Sequence, residues 1–310
     1  MGQNHERKHA LNYFTQHLSG PIPFCMQLAA NRAGNHVLIL GGTHGNEPGG
    51  VGAVVQMHQA IQRGEIELKS GRISFLLANP RAYEANVRYL DRDLNRAFED
   101  HDPHSVEGRR VSEINRLFDG HADICAALDL HSVSIGNFKI VVYDIENAVN
   151  SDLAKRISPI DIHLAYHRSH LPGALVDEAG RRGMAGLMVE CGNHSSADGI
   201  QTALQHIYAL LGHYGILSTS FSPNLNPPAR ILQYESLQAI RPRVGFRFLI
   251  DGIATGTRLV KGQVFAADDQ GEHAAPEDCY VAVPSRHAKP TDYDAGFLCK
   301  LKILEESTRE

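Results

Sequence analysis

HVLILGGTHGNEPGG (36–50) opens as a continuous apolar run, breaks into glycine punctuation, and is followed by apolar residues at Val51, Val54, Val55 and Ile61. An apolar run without polar alternation predicts a strand buried on both faces, and the spacing after it predicts an amphipathic helix over 49–64. The same pattern recurs along the chain. RISFLLAN (72–79) reads as a second buried strand, stopped by Pro80. Ser105 can cap a helix carrying Val111, Ile114, Leu117 and Phe118 on one side. ICAALDLH (124–131), FKIVVYD (138–144) and GLMVE (186–190) are further strands, and Ser196 can cap a long helix with Ile200, Ala203, Leu204, Ile207, Leu210 and Leu211 on its buried face. Buried-type strands alternating with amphipathic helices predict an α/β fold, its sheet covered on both faces.

At SFSPNLNPPAR (220–230) the texture changes. The segments beyond it, VGFRFLI, TRLVKGQVFA, CYVAVP and GFLCKLKIL, are short and broken by Gly, Pro and Asp, a β-rich pattern. Two domains are therefore expected: an α/β domain over 1–219 and a smaller β-rich one over 220–310.

The chain has 310 residues, 43% hydrophobic and 21% charged, which supports a full-sized core and argues against disorder. Net charge is −5 with no basic stripe, so nucleic acid is not an expected partner. The polar start MGQNHERKHALNYF has no signal-peptide core, and no apolar run approaches the roughly 20 residues that cross a bilayer, so a cytoplasmic protein without a membrane partner is expected. The five cysteines are scattered without a CxxC pair, which argues against a disulfide framework or an all-cysteine zinc site.

Reactive residues gather where predicted strands end. His44 and Glu47 lie three apart at a strand-to-helix junction, where a tight turn can aim both inward. An imidazole and a carboxylate suit zinc, and a catalytic zinc takes three protein ligands and leaves one position for water. His131, ending ALDLH, supplies the third. Asp129 points to the same side of that strand and can orient an imidazole, though which one is not legible from sequence. An HxxE spacing alone is common by chance; its glycine frame and the second strand-end histidine strengthen it. Glu190, ending GLMVE, puts another carboxylate at the same rim, as a general base and acid or as half of a structural ion pair. RYLDRDLNR (88–96) sets Arg88, Arg92 and Arg96 among Asp91, Asp93 and Asn95. A solvated loop and an anion site explain it equally well.

GGTHGNE, NPRA, RYLDRDLNRAF, DLH and VECG, in this order and spacing, resemble the aspartoacylase and succinylglutamate desuccinylase family, within the wider zinc carboxypeptidase superfamily. The resemblance implies a zinc-carboxypeptidase-like mixed sheet, helices on both faces, and a smaller β-rich C-terminal domain that narrows the entrance. It implies one zinc per chain on His44, Glu47 and His131, Arg88 at the oxyanion, Asn95 and Arg96 on a substrate carboxylate, and Glu190 as proton shuttle. Arg181 or Arg182 would meet a second carboxylate, and Tyr293 would close the site from the C-terminal domain. DLHSVSIGN in place of DLHTAIR favours the aspartoacylase side. The implied reaction is hydrolysis of a small N-acyl amino acid, N-acetyl-L-aspartate first, with succinylglutamate or an N-acyl aromatic or aliphatic amino acid as alternatives. Relatives are often dimers or larger, so a homo-oligomer is a family expectation. Competing readings are a peptide-cleaving carboxypeptidase, a serine or cysteine hydrolase (no GxSxG elbow, and only Cys191 adjacent to Glu190), and a non-catalytic metal-dependent binding protein.

Overall fold

The computed structural model of the protein describes residues 2–134, 136–196, 198–217, 228–285, 288–290 and 292–305. They form two compact units, one of residues 2–159 and 173–217, the other of residues 160–172 and those from 228 on.

The first unit begins with α1 (Gly2–Gln16), β1 (Cys25–Ala29), β2 (His36–Gly41), α2 (Pro48–Gln62), β3 (Arg72–Leu77) and α3 (Pro80–Ala85). It continues through α4 (Val106–Gly120), β4 (Ile124–Val133), β5 (Lys139–Asp144) and α5 (Ala148–Ile157). The chain passes into the second unit for β6 (Ile162–Tyr166), then returns for α6 (Leu175–Arg181), β7 (Ala185–Asn193) and α7 (Asp198–His213). Strand order is β1-β3-β2-β4-β7-β5. The four central strands run parallel, and β1 and β5 join antiparallel at the two ends.

β2 is buried at every position, as a strand covered on both faces must be. Leu38 and Leu40 pack with Leu76 against Val111, Ile114, Leu117 and Phe118 of α4 and Leu175 of α6. By the two-residue alternation of a strand, Val37 and Ile39 face the other side, where α2 packs on β2. Each such fully buried aliphatic side chain stabilises the fold by about 1.5–3 kcal/mol. Ser105 caps α4 as its position suggests, its Oγ accepting from Gly108 N at 2.9 Å. The helices α1, α5 and α6 and the strands β1 and β6 carried no decisive periodic signal. The polar-looking α1 packs through Ala10, Tyr13 and Phe14, and through the buried Arg7, whose Nη1 donates to the Gly45 carbonyl at 2.6 Å.

The second unit adds β8 (Arg230–Ala239), β9 (Arg247–Phe248), β10 (Arg258–Leu259), β11 (Val264–Asp268), β12 (Gly271–Ala274), β13 (Cys279–Ala282) and β14 (Phe297–Glu305). β6 pairs in parallel with β8, and β8, β14, β13 and β10 continue antiparallel. β12, β11 and β9 form a separate small sheet. Ile240, Leu259, Phe265, Val281 and Leu298 share the core of the second unit. The expected β-rich character is found, and its described residues contain no α-helix. The division expected at 219/220 lies outside the described residues. The second unit also takes in 160–172, because β6 finds its partner in β8, far along the chain. No described helix is long and apolar enough to cross a membrane.

Candidate metal centre

The turn after β2 is shaped by glycines that nothing larger can replace. Gly42 has φ +71, and a Cβ on Gly45 would stand 2.0 Å from the Ala82 carbonyl carbon. A Cβ on Gly50 would stand 2.5 Å from the Leu130 oxygen, so the first turn of α2 lies against the end of β4. Pro48 opens α2 without needing an amide donor. Glu47, at the N-cap, makes no side-chain cap. Its carboxylate turns inward instead. Oε1 is 2.7 Å from His44 Nδ1, and Oε2 is 3.1 Å from His131 Nδ1 while accepting from Ser132 N at 2.9 Å.

His44, Glu47 and His131 are 4%, 3% and 3% exposed, and one ligand atom of each lies within 4.8 Å of the others. The outer nitrogens of both histidines also meet carboxylates. His44 Nε2 is 3.1 Å from Asp93 Oδ1, and His131 Nε2 is 2.9 Å from Asp129 Oδ2. Asp129 Oδ1 accepts from the Thr43 hydroxyl at 2.8 Å, and Asp93 Oδ2 accepts from Arg88 Nε at 3.1 Å and Nη2 at 2.8 Å. Each imidazole therefore stands between two carboxylates, Glu47 at Nδ1 and Asp93 or Asp129 at Nε2, and against the effect of burial Asp129 and Glu47 together hold the His131 pKa well above its ordinary value. So many carboxylates in a buried cluster call for positive charge between them, supplied by ring protons or, with both Nδ1 atoms deprotonated, by a bound cation. Two imidazole nitrogens and one carboxylate oxygen fit zinc or a similar divalent metal, and carboxylates behind both imidazoles are the usual support of such ligands.

Burial disfavours the charged form of Glu47, but His44 and His131 outweigh it and hold its pKa well below the ordinary value. Asp93 behaves likewise, with burial overcome by Arg88 and His44. Glu190 goes the other way. It stands beside His131 in the β4–β7 register, and its Oε2 is buried with no hydrogen-bond partner among the described residues. Burial first, and then the negative charge of Glu47, push its carboxyl up to about 7. Such a group can both take and return a proton near neutrality.

Arg88 lies on the same side, 3.9 Å from Glu47 Oε1 at Nη1, with 41% of its side chain exposed. Its loop is held from beneath by Glu107, in the first turn of α4 and fully buried. Glu107 Oε1 accepts from Leu90 N at 2.8 Å and Asn79 Nδ2 at 3.1 Å, and Oε2 from Asp91 N at 3.0 Å and Arg92 N at 3.3 Å. Nothing in the sequence marks this role, since a first-turn acid ordinarily reads as a dipole partner. Asp93 was legible only as one charge among many in RYLDRDLNR.

The remaining sequence candidates divide. Asn95 is 3% exposed, and its Oδ1 accepts from Leu175 N at 2.9 Å, so its side chain anchors the start of α6. Arg96 donates from Nη1 to the Asn95 carbonyl at 2.7 Å, and its charge bears on Asp93. Arg181 and Arg182 end α6, ahead of the first residue of β7, whereas Glu190 lies near the far end of that strand. They bond Glu178, and Arg182 also Asp119, instead of joining the cluster. A crossover helix runs antiparallel to its strands, so its last turn falls at the opposite rim. Tyr293, in the second unit, has the Arg241 guanidinium 3.5 Å over its ring and accepts from Arg241 Nη1 at its carbonyl, 2.8 Å away. Cys191 is buried and its thiol is held well above its usual pKa, by burial and then by Glu190, which opposes a nucleophilic role.

Parallel strands whose carboxyl ends carry a buried His/Glu/His cluster, beside a carboxyl poised near neutrality, define an α/β protein with a candidate metal centre. The chain belongs to the succinylglutamate desuccinylase/aspartoacylase family: the model of that family's catalytic domain matches residues 33–214. A probable aspartoacylase of Prochlorococcus marinus (strain MIT 9515) is 35% identical over 114 residues, 34% of this chain and 37% of that protein. An N-acyl-aromatic-L-amino acid amidohydrolase (carboxylate-forming) of Xenopus tropicalis is 36% identical over 108 residues, 32% of this chain and 34% of that protein. The matches thus span only about a third of these curated relatives. Among solved structures, a succinylglutamate desuccinylase of Vibrio cholerae shares the fold with a TM-score of 0.72 at 18% identity, over 92% of this chain and 86% of that one. Murine aminoacylase 3 shares it with a TM-score of 0.62 at 21% identity, over 89% of this chain and 98% of that one.

Proposed function

We propose that the protein is a zinc-dependent amidohydrolase that cleaves the amide of a small N-acyl amino acid, N-acetyl-L-aspartate first, to a carboxylate and a free amino acid. The observation that carries this reading is the convergence of His44 Nδ1, His131 Nδ1 and the Glu47 carboxylate, next to a Glu190 carboxyl pushed up to about 7. His44, Glu47 and His131 would hold one zinc, which when bound activates water and polarises a carbonyl.

The residues of the chain do the rest. Glu190 takes the proton from the attacking water and hands it to the amide nitrogen as the carbon–nitrogen bond breaks. Arg88, steadied by Asp93, offers a cationic fork to the oxygen on which charge develops. Arg96 holds the carboxylate of the amino acid and so fixes the amide over the cluster. Asn95 supports this indirectly by anchoring the start of α6.

The test is release of the acyl carboxylate from a panel of N-acetyl and N-succinyl amino acids with acidic, aromatic and aliphatic side chains, with and without a chelator. Chelator-sensitive release, fastest from N-acetyl-L-aspartate, is expected. A different fastest substrate reassigns the side-chain preference alone. No release from any substrate by zinc-loaded protein overturns the hydrolase and leaves a metal-dependent binding protein.

A further inference from the structure

A second histidine–carboxylate group stands at the other end of the same strands. His36 opens β2, His121 is the C-cap of α4, and Asp123 immediately precedes β4. One ligand atom from each lies within 4.8 Å of the others. The run from His36 to Gly41 separates this group from the His44 turn by roughly 17 Å at the ordinary rise of a strand.

The arrangement is hard to explain as packing alone. His36 is fully buried, and its Nδ1 has no hydrogen-bond partner, although Asp123 Oδ1 is only 3.2 Å away. Asp123 also opposes the lowering that burial imposes on the His36 pKa. His121 Nδ1 is 3.7 Å from the same oxygen, and the two imidazoles meet edge to face at 5.2 Å. Behind them, His36 Nε2 is 2.8 Å from Ser74 Oγ, and the Gln27 amide end is 3.0 Å from that Oγ and 3.1 Å from His121 Nε2. The structure turns the Gln27 Nε2 donor toward Ser74 and His121; with that amide rotated by half a turn, which leaves the shape of the side chain unchanged, both histidine Nε2 atoms donate and both Nδ1 lone pairs turn toward Asp123. A buried nitrogen lone pair next to a carboxylate, with nothing between them, is costly to leave unsatisfied. A divalent cation satisfies all three atoms together.

We propose that His36, His121 and Asp123 form a second divalent-metal site, of the zinc type, remote from the His44 cluster. Its donor set is two imidazole nitrogens and one carboxylate oxygen, which selects a borderline metal such as Zn²⁺ over Ca²⁺ or Mg²⁺. The Asp123 side chain is 57% exposed, so the ion enters and leaves from solvent. Once bound, it ties the end of α4 and the start of β4 to the start of β2. These are the strands whose far ends lead to His44 and His131.

The experiment counts zinc bound per chain after the metal-stripped protein is equilibrated with Zn²⁺ alone and the excess is removed. Parent protein is compared with Asp123→Asn, His121→Gln and His131→Gln. Two equivalents are expected for the parent, and one for each single variant. Zinc should raise the thermal midpoint of His131→Gln, and not that of the same chain carrying Asp123→Asn as well. Asp123→Asn and His121→Gln should retain any deacylase activity of the parent. Because Asp123 is exposed, Asp123→Asn keeps the comparison sound even where a histidine variant folds poorly. A parent with a single equivalent that Asp123→Asn abolishes would sustain this site and remove the His44 one. Zinc content unchanged by both Asp123→Asn and His121→Gln overturns the proposal.

Discussion

Asp129 holds His131 from two residues back along the same strand, its Oδ2 2.9 Å from His131 Nε2 and its Oδ1 taking the Thr43 hydroxyl at 2.8 Å. The aspartate thereby fixes which nitrogen of His131 faces Glu47, and ties that choice to the turn carrying His44. Asp129→Asn offers one acceptor where two donors need one each. Zinc affinity should fall about 10–100-fold with the fold intact. Competition with a chromophoric chelator reads this directly, and equal affinities for the two proteins would detach Asp129 from the metal.

Glu190→Gln keeps the shape and removes the proton-carrying function. kcat should fall about 10²–10⁴-fold. Zinc content should match the parent, because Glu190 is not among the three converging ligands. Turnover within a few-fold of the parent, measured at saturating substrate, would give the general-base role to another group.

Glu107→Gln tests the support under the arginine loop. The Gln amide would turn N–H donors toward some of the backbone N–H groups of Leu90, Asp91 and Arg92 that the carboxylate now satisfies. A loss of about 2–3 kcal/mol is expected, from donors left buried without an acceptor. It should appear as a lower urea midpoint, together with slower turnover through Arg88 and Asp93. An unchanged midpoint would mean that the loop holds itself.

His206 gives a pH dependence of stability away from both metal clusters. It is fully buried, with Nδ1 2.8 Å from the Thr202 carbonyl and Nε2 3.0 Å from Ser158 Oγ. Burial lowers its pKa from 6.5 to about 4. Between those values the unfolded chain binds the proton and the folded chain does not, so stability rises with pH across the window. The contribution, at most about 3 kcal/mol, is fully present above about pH 6.5 and is lost as pH falls toward 4. His206→Gln should therefore be less stable at pH 7.5 yet lose less stability between pH 7 and 4.5. Parallel urea-midpoint curves for the two proteins would contradict this.

The class of fold and the location of the chemistry are properties of neighbours in sequence, and so could be read there. Unbroken apolar runs at 37–40 and 124–128 announce buried strands, and His44, Glu47 and His131 follow them close to the strand ends by the same count. Glycine at 42, 45 and 50 follows from turn geometry and close backbone approach, again local in origin. What the sequence could not determine depends on register and packing between distant segments. Asp93 reaches His44 from 49 positions along the chain, and Glu107 reaches back to Leu90, because folding brings the arginine loop against both the His44 turn and the first turn of α4. Arg181 and Arg182 look like anion binders until the direction of α6 carries them to the opposite rim, and Asn95 until Leu175 N claims its oxygen. The sequence alone therefore determined the strand ends and the donor types. Only the tertiary structure decided which carboxylate stands behind which histidine, since that pairing depends on contacts whose partners leave no mark on each other's local pattern.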